Sequence, residues 1–361
     1  MKYLISGGGT GGHIFPAIAI AQALEQADPQ AEFLFVGAEG KMEMQKVPEA
    51  GYRIEGLPIA GFNRQSLLKN WKLPFKIWAS MSKARKIIRD FQPDAAIGVG
   101  GYASGVAVKM ANMMKIPALV HEQNSYAGKT NQILGKSVDK VCVAYPNMQR
   151  FFPSDKIVLT GNPIRKDVLQ KSDKRTEAFD FYGFDPHKKT IFLTGGSLGA
   201  RSLNESMLPF VEELQKQEVQ VLWQAGKLYI KEFDPLAQKY PNLKIQAFIQ
   251  RMDLAYAMAD MVIARAGALT LSELCENGKA AILVPSPNVA EDHQTANAKA
   301  LTEEEAALWL ADAEAREKLI PQALELLQNE AEIQKLGEAA KRLAKPQAAQ
   351  EIAQEILQLI K

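Results

Sequence analysis

Two stretches of this chain share one architecture. Residues 1–24, MKYLISGGGTGGHIFPAIAIAQAL, and residues 190–208, TIFLTGGSLGARSLNESML, each run from a short apolar segment through a glycine-rich turn into a helical pattern. A strand that ends in glycines and feeds a helix opens a Rossmann-like unit, in which backbone N–H groups at the helix N-terminus approach phosphate. Two such openings in 361 residues predict two successive Rossmann-like halves. Further strand-like runs are Phe33–Val36, Ala95–Val99, Ala118–His121, Lys140–Val143 and Ile157–Thr160, then Val219–Gln224, Lys244–Ala247, Met261–Ala264 and Ala281–Pro285. Helical patterns such as Pro16–Ala27 and Phe75–Phe91 lie between them. This alternation predicts parallel sheets covered by helices on both faces. The join falls within residues 160–189, and the tail, 346–361, reads as an amphipathic helix with Ile352, Ile356 and Leu357 on one stripe.

Composition narrows the function. The formal net charge is +2, so the molecule as a whole is no electrostatic binder of nucleic acid. The two cysteines, Cys142 and Cys275, lie in apolar contexts with no disulfide or zinc spacing, which suits a reducing cytosol. No apolar run reaches the ~18 residues that span a bilayer. Lys2, an apolar stretch and Ala19-Ile20-Ala21 imitate a signal peptide. The run of Gly and Thr at 7–12 breaks that stretch, so no export is expected.

Residues 7–12 fit G-x-G-x-x-G, the dinucleotide fingerprint. Glu39 is available for a ribose, but Thr10 and His13 sit in and just after the loop, where a nicotinamide site needs no imidazole. A histidine at a helix start is held neutral and is available as a base. Its commoner role is a cap or turn. The sequences AGKT (127–130) and GKS (135–137) imitate a P-loop, but the positions for its upstream glycine are Gln123 and Thr130. No D-x-D metal–nucleotide motif occurs.

Three further clusters follow strands. GVGGYASG (98–105) carries Tyr102 and Ser104. HEQN (121–124) places four polar groups where the carboxyl edge of a sheet is expected, the edge at which α/β ligands bind. In RAGALTLSEL (265–274), Gly267 and Ala268 permit close backbone approach, and Glu273 is a carboxylate suited to two vicinal ribose hydroxyls. Gln294 stands on a polar loop into a helix, AEDHQTANA (290–298), and is expected to face the same cleft.

Together GGTGGHIFP, GVGGYASG, HEQN, TGNPIR, TGGSLGARSLN and RAGALTLSEL resemble the MurG family, in order and with family-like spacing from residue 3 to about residue 300. These are peripheral membrane N-acetylglucosaminyltransferases of peptidoglycan synthesis. The resemblance implies the GT-B fold, two Rossmann-like domains with parallel sheets facing across a cleft. It implies an acceptor-binding, membrane-associated domain at 1–163, a UDP-GlcNAc domain at 164–343, and a C-terminal helix at 344–361 packing back toward the first domain. It implies transfer of N-acetylglucosamine from UDP-GlcNAc to the C4 hydroxyl of lipid I (undecaprenyl-pyrophosphoryl-MurNAc-pentapeptide), inverting, with no cofactor, no essential metal and no nucleic-acid partner. The enzyme would sit on the cytoplasmic face of the bacterial plasma membrane.

Carried over motif by motif, donor contacts are Thr10, Gly11 and Gly12, Asn124, Arg165, and Ser197 at the pyrophosphate. Ile249 would hold uracil through its backbone. Ala268, Leu269, Thr270, Leu271, Ser272 and Glu273 would hold phosphate and ribose, and Gln294 the sugar. Tyr102 and Ser104 would meet the acceptor. His13 is the preferred base and Glu122 the second. One departure is Val106, where the family usually has Pro.

Residues 69–90 hold seven basic side chains and one acid, interleaved with Trp71, Phe75 and Trp78, a composition suited to an anionic membrane surface. The same segment reads as a sheet-covering helix, with Ile77, Met81 and Ile88 inward and Leu68, Trp71 and Phe75 toward lipid. Competing readings are an NAD oxidoreductase, a UDP-GlcNAc 2-epimerase of the same fold, and a nucleotide-binding module without catalysis. The second glycine half and His13 count against the first; GGYASG and HEQN count against the epimerase.

Overall fold

A computed structural model describes residues 1–59, 73–164, 168 and 174–360. The chain forms two compact units, Met1–Arg165 with Lys345–Lys361, and Lys166–Ala344.

The first unit runs β1 (Lys2–Ser6), α1 (Gly11–Ala27), β2 (Glu32–Ala38), α2 (Glu43–Glu49), β3 (Arg53–Leu57), α3 (Leu73–Phe91), β4 (Ala95–Gly98), α4 (Tyr102–Met113), β5 (Ala118–Glu122), α5 (Lys129–Gly135), β6 (Lys140–Val143) and β7 (Ile157–Leu159). Its strands form one seven-stranded sheet in the order β3-β2-β1-β4-β5-β6-β7. Every pairing is parallel.

The second unit runs α6 (Arg175–Tyr182), β8 (Thr190–Thr194), α7 (Arg201–Met207), α8 (Val211–Lys216), β9 (Gln220–Gln224), α9 (Ile230–Lys239), β10 (Leu243–Gln246), α10 (Met252–Met258), β11 (Met261–Ala264), α11 (Ala268–Asn277), β12 (Ala281–Leu283), α12 (His293–Thr302), β13 (Leu308–Trp309), α13 (Ala315–Gln328) and α14 (Glu330–Arg342). Its six strands are ordered β10-β9-β8-β11-β12-β13, again all parallel. The last helix, α15 (Ala348–Ile360), belongs to the first unit.

Side chains alternate across the first sheet. Leu4, Leu34, Ala96, Val120 and Val141 pack under α3, α4 and α5 through Ala84, Ile88, Ala107 and Leu134. Tyr3, Ile5, Phe35, Ile97 and Leu119 pack on the other face with Ile14 and Ile18 of α1 and Ile352 and Ile356 of α15. Burial on both faces makes the central strands continuous apolar runs, which is why they are legible in the sequence. Of the four edge strands, β7 and β10 were expected, whereas β3 and β13 were not. Strand β3 reads RIEGL and exposes alternate residues, and β13 has two residues. Helix α1 starts at Gly11 rather than Pro16, because glycines carry no apolar pattern.

Strand order reverses between β1 and β4 and between β8 and β11. Loops leaving such neighbouring strands diverge to opposite faces and open the crevice where open α/β sheets bind ligands.

Ile352 is fully buried against the α1 face of the first sheet. Ile352→Ala should cost about 2–5 kcal/mol. Hydrogen exchange should show lost protection in β1 and β4 with β8 and β11 unchanged; wild-type protection in β1 and β4 would remove α15 from this core.

Candidate active site

The loop after β1 is held from three sides. Gly8 N donates to Gly100 O at 3.3 Å, which ties it to the loop after β4. A Cβ on Gly101 would lie 2.5 Å from Gly8 O, and both Gly100 and Gly101 have positive φ. Only glycine permits that approach. Beneath the loop, Gly9 N donates to Glu43 Oε2 at 2.9 Å. Thr10 is the exposed N-cap of α1, and Gly11 and Gly12 begin the helix. The amides of a first helical turn have no partner four residues back, so they point toward whatever anion approaches.

His13 stands in this first turn. Its Nδ1 lies 3.0 Å from Gly8 O and 3.4 Å from Thr10 Oγ1. A carbonyl oxygen only accepts, so Nδ1 carries a proton, which in the neutral ring leaves the lone pair on Nε2. The ring covers Gly100, where a Cβ would lie 2.9 Å from Nε2. Tyr102, 56% exposed, opens α4 immediately after these glycines. Thr10, His13 and Tyr102 thus stand on joined loops.

Three sequence expectations are corrected here. Ser104 is fully buried and its Oγ faces Gly98 of β4, so it offers nothing to an acceptor. The polar run 121–124 turns inward rather than emerging as a ligand edge. His121, Glu122 and Gln123 are buried. Glu122 Oε1 accepts from Asn124 N and Nδ2, and Oε2 from Gly128 N and Asn131 Nδ2, at 2.9–3.2 Å. A carboxylate enclosed by four donors holds its own loop and is not placed to take a proton from substrate. Gln123 Nε2 donates to Val99 O, and His121 Nε2 to Gly161 O, which pins the loops after β4 and β7. Asn124 alone of the four is half-buried. Val106, the departure from the family pattern, is buried within α4.

In the second unit, the loop 195–200 leaves β8, and α11 starts just after β11, its paired neighbour. Ser197 is exposed on the first. The first regular helical bond of α11 is Leu271 N to Gly267 O, so Ala268, Leu269 and Thr270 form the first turn, whose amides precede the regular helical ladder. A helix N-terminus beside a glycine loop at the switch point is an anion site. Ser272 Oγ donates back to Ala268 O, and the Leu271 side chain is buried. Glu273 is half-buried, and Tyr256 Oη donates to its Oε2 at 2.9 Å. Tyr256 is fully buried and packs edge-on to Phe192 of β8.

Ile249 is buried, and its N–H donates to Gln224 Oε1. Gln224 Nε2 and Gly196 N both donate to Thr194 Oγ1, which links this segment to the glycine loop. Gln294 Oε1 accepts from Ser286 N at 2.8 Å.

Tyr256, Gln224 and Arg265 were missed by sequence reasoning. Arg265 donates to Val284 O, Pro285 O, Asp312 and Ser202. Its place in RAGALTLSEL was the available signal. Arg165 lies outside the described residues, as do Leu68 and Trp71. On α3, Ala84 and Ile88 face the sheet, whereas Phe75, Ile77 and Trp78 are exposed. Ile77 keeps the helical phase of the inward stripe, but residues 74–78 are all exposed, so the first turns extend beyond the packed part. Among the described residues no helix is long and apolar enough to cross a membrane.

Comparison with known proteins agrees with this architecture. Residues 3–143 match the glycosyltransferase family 28 N-terminal domain and residues 190–355 its C-terminal domain. The chain belongs to glycosyltransferase family 28, with two Rossmann-like domains of the GT-B type. A Bacteroides fragilis protein named UDP-N-acetylglucosamine--N-acetylmuramyl-(pentapeptide) pyrophosphoryl-undecaprenol N-acetylglucosamine transferase is 51% identical, over 99% of this chain and 96% of its own. A Parabacteroides distasonis protein of that name is 50% identical, over 99% and 98%. The crystal structure of Acinetobacter baumannii MurG, 32% identical, covers 99% of both chains with a TM-score of 0.79. A UDP-GlcNAc 2-epimerase from Neisseria meningitidis, at 14% identity and a TM-score of 0.67 over 99% and 100%, shows the shared fold alone.

Burial lowers the His121 pKa from 6.5 to about 4, opposed by its bond to Gly161 and assisted by the nearby His13. Below pH 6.5 the unfolded chain takes a proton that the folded protein refuses. The His121 contribution to stability is therefore whole above pH 6.5 and is lost as pH falls toward about 4. Thermal melts across that window should fall more steeply for wild type than for His121→Gln; equal slopes would contradict a neutral, buried His121.

Proposed function

We propose that this enzyme transfers N-acetylglucosamine from UDP-GlcNAc to the C4 hydroxyl of lipid I, giving lipid II for peptidoglycan. The observation that carries the reading is the pairing of the α11 N-terminus with the loop 195–200 at the β8–β11 switch point, with Glu273 held nearby by Tyr256. Such a site suits a nucleoside diphosphate. Full-length likeness to transferases of that name supports the particular sugar and acceptor.

In this reading the second unit binds the donor. Amides of Ala268, Leu269 and Thr270, with Ser197, take the pyrophosphate; Glu273 takes ribose hydroxyls; the Ile249 carbonyl takes the base; Gln294 takes the sugar. The first unit carries Thr10, Gly11, Gly12 and Asn124 as candidate substrate contacts and binds the acceptor beside Tyr102. His13 Nε2 accepts the C4 hydroxyl proton as the oxygen attacks the anomeric carbon. The bond from that carbon to the UDP oxygen breaks, its electron pair leaves with UDP, and configuration inverts. Backbone dipoles stabilise the departing charge, and the scheme uses no metal or cofactor.

Labelled sugar from UDP-GlcNAc should appear on a short-chain lipid I analogue; an epimerised sugar nucleotide in its place would sink the proposal. His13→Ala should lower kcat roughly 10²–10⁴-fold, with UDP binding by calorimetry within a few-fold. Loss mainly of UDP-GlcNAc affinity would make His13 a donor-loop residue instead.

Membrane attachment at the cytoplasmic face belongs to the same proposal. Phe75 and Trp78 are 70% and 76% exposed on α3, which also carries Lys76, Lys83, Arg85, Lys86 and Arg89. Exposed aromatics among basic side chains favour an anionic bilayer surface. Phe75→Glu with Trp78→Glu should release the protein from anionic liposomes while turnover of a water-soluble acceptor persists. Unchanged liposome binding would rule out α3 as the contact.

A further inference from the structure

We infer that Glu43 is a positioning residue that acts on His13 through a single peptide group; the inference rests on the reading of His13 as the base. Glu43 opens α2 and is 0% exposed. A buried carboxylate is costly unless donors surround it. Its Oε1 accepts from Ala38 N at 3.0 Å and its Oε2 from Gly9 N at 2.9 Å.

The space it fills is made by glycines. A Cβ on Gly8 would lie 2.2 Å from Glu43 Oε1, and one on Gly37 would lie 2.5 Å from Glu43 Cγ. The carboxylate is thus built into the floor of the loop.

The N–H of Gly9 and the C=O of Gly8 belong to the same peptide group. Glu43 holds its N–H end, and His13 Nδ1 lies 3.0 Å from its C=O end. A trans peptide points these two groups in opposite directions. Anchoring one end therefore aims the other. A peptide between two glycines turns over with little steric penalty, and Gly9 already has φ +88°. Here the approach of Gly101 confines the oxygen end of this peptide, and the carboxylate is the hydrogen-bond acceptor that holds its N–H end. Accepting the N–H also polarises the peptide and makes its oxygen a stronger acceptor. The outcome is one His13 tautomer, Nδ1–H toward Gly8 O, with the lone pair on Nε2. A carboxylate that orients a histidine is familiar as a direct contact; here one peptide group is interposed.

Glu43→Gln keeps the volume but sets an NH₂ against one of the two backbone donors. It should lower kcat about tenfold to a hundredfold, the usual size for loss of a supporting contact, with KM for UDP-GlcNAc and the lipid I analogue within about threefold. The chain has four histidines, so long-range ¹H–¹⁵N spectra can follow the His13 ring. Wild type should show the Nδ1–H tautomer and the variant a mixture. On a His13→Ala background, Glu43→Gln should change kcat by less than about twofold.

An unchanged tautomer in Glu43→Gln overturns the inference, and so does an undiminished kcat loss on the His13→Ala background. If His13→Ala alone leaves kcat intact, the base reading fails, and the tautomer measurement still decides whether Glu43 sets the ring. Should Glu43→Gln not fold, Glu43→Asp, which draws the carboxylate back from Gly9, is read by the same criteria.

Discussion

Backbone meeting backbone at Gly8, Gly100 and Gly101 is the contact on which the first unit's candidate site depends. Both loops leave the two strands at which the sheet order reverses, β1 and β4. Their approach leaves no room for a side chain: a Cβ at position 101 would strike Gly8 O, and one at 100 would strike the His13 ring. With the loops joined, His13, Thr10 and Tyr102 occupy one neighbourhood. The second unit repeats the device between Gly199 and Gly226, where a Cβ on Gly226 would lie 2.1 Å from Gly199 N. There the joined loops follow β8 and β9, and the α11 N-terminus emerges beside them after β11.

Around these loops lies a set of polar groups whose partners are all internal. His121 and Gln123 tie down the loops after β7 and β4, and Glu122 closes its own turn. Thr194, Gln224 and Ile249 do the same in the second unit. These bonds rigidify what they connect, although Gln123 Oε1 and Asn131 Oδ1 within the network have no hydrogen-bond partner among the described residues. The groups presented outward are backbone amides and a few side chains held by others: His13 by Gly8, Glu273 by Tyr256, Gln294 by Ser286. Binding geometry held by a rigid frame loses little entropy when a ligand arrives.

The fold and the location of the glycine loops were legible in the sequence for a physical reason. Strands buried on both faces read as unbroken apolar runs, and loops that must approach another backbone require glycine. Both demands act locally, so residues 3–12 and 190–199 declared themselves. The family motifs named Glu273, Gln294 and Ser197 as candidates by position. Strands β3 and β13 were not legible, since RIEGL interrupts its apolar residues with Arg53 and Glu55 and β13 is only two residues long.

What only the tertiary structure decided is the direction in which each polar side chain turns. HEQN offers four hydrogen-bonding groups, and nothing in their order says that three face inward; that depends on Val99, Gly128, Asn131 and Gly161, which the fold brings to them from elsewhere. Ser104 is buried because α4 lays it on Gly98. Glu43, separated by thirty-four residues from the glycine whose amide it holds, carries no local signal at all. A hydrogen bond is set by distance and angle, and these arise only once non-adjacent segments pack, whereas strand burial and glycine's freedom are already written in the local run of residues.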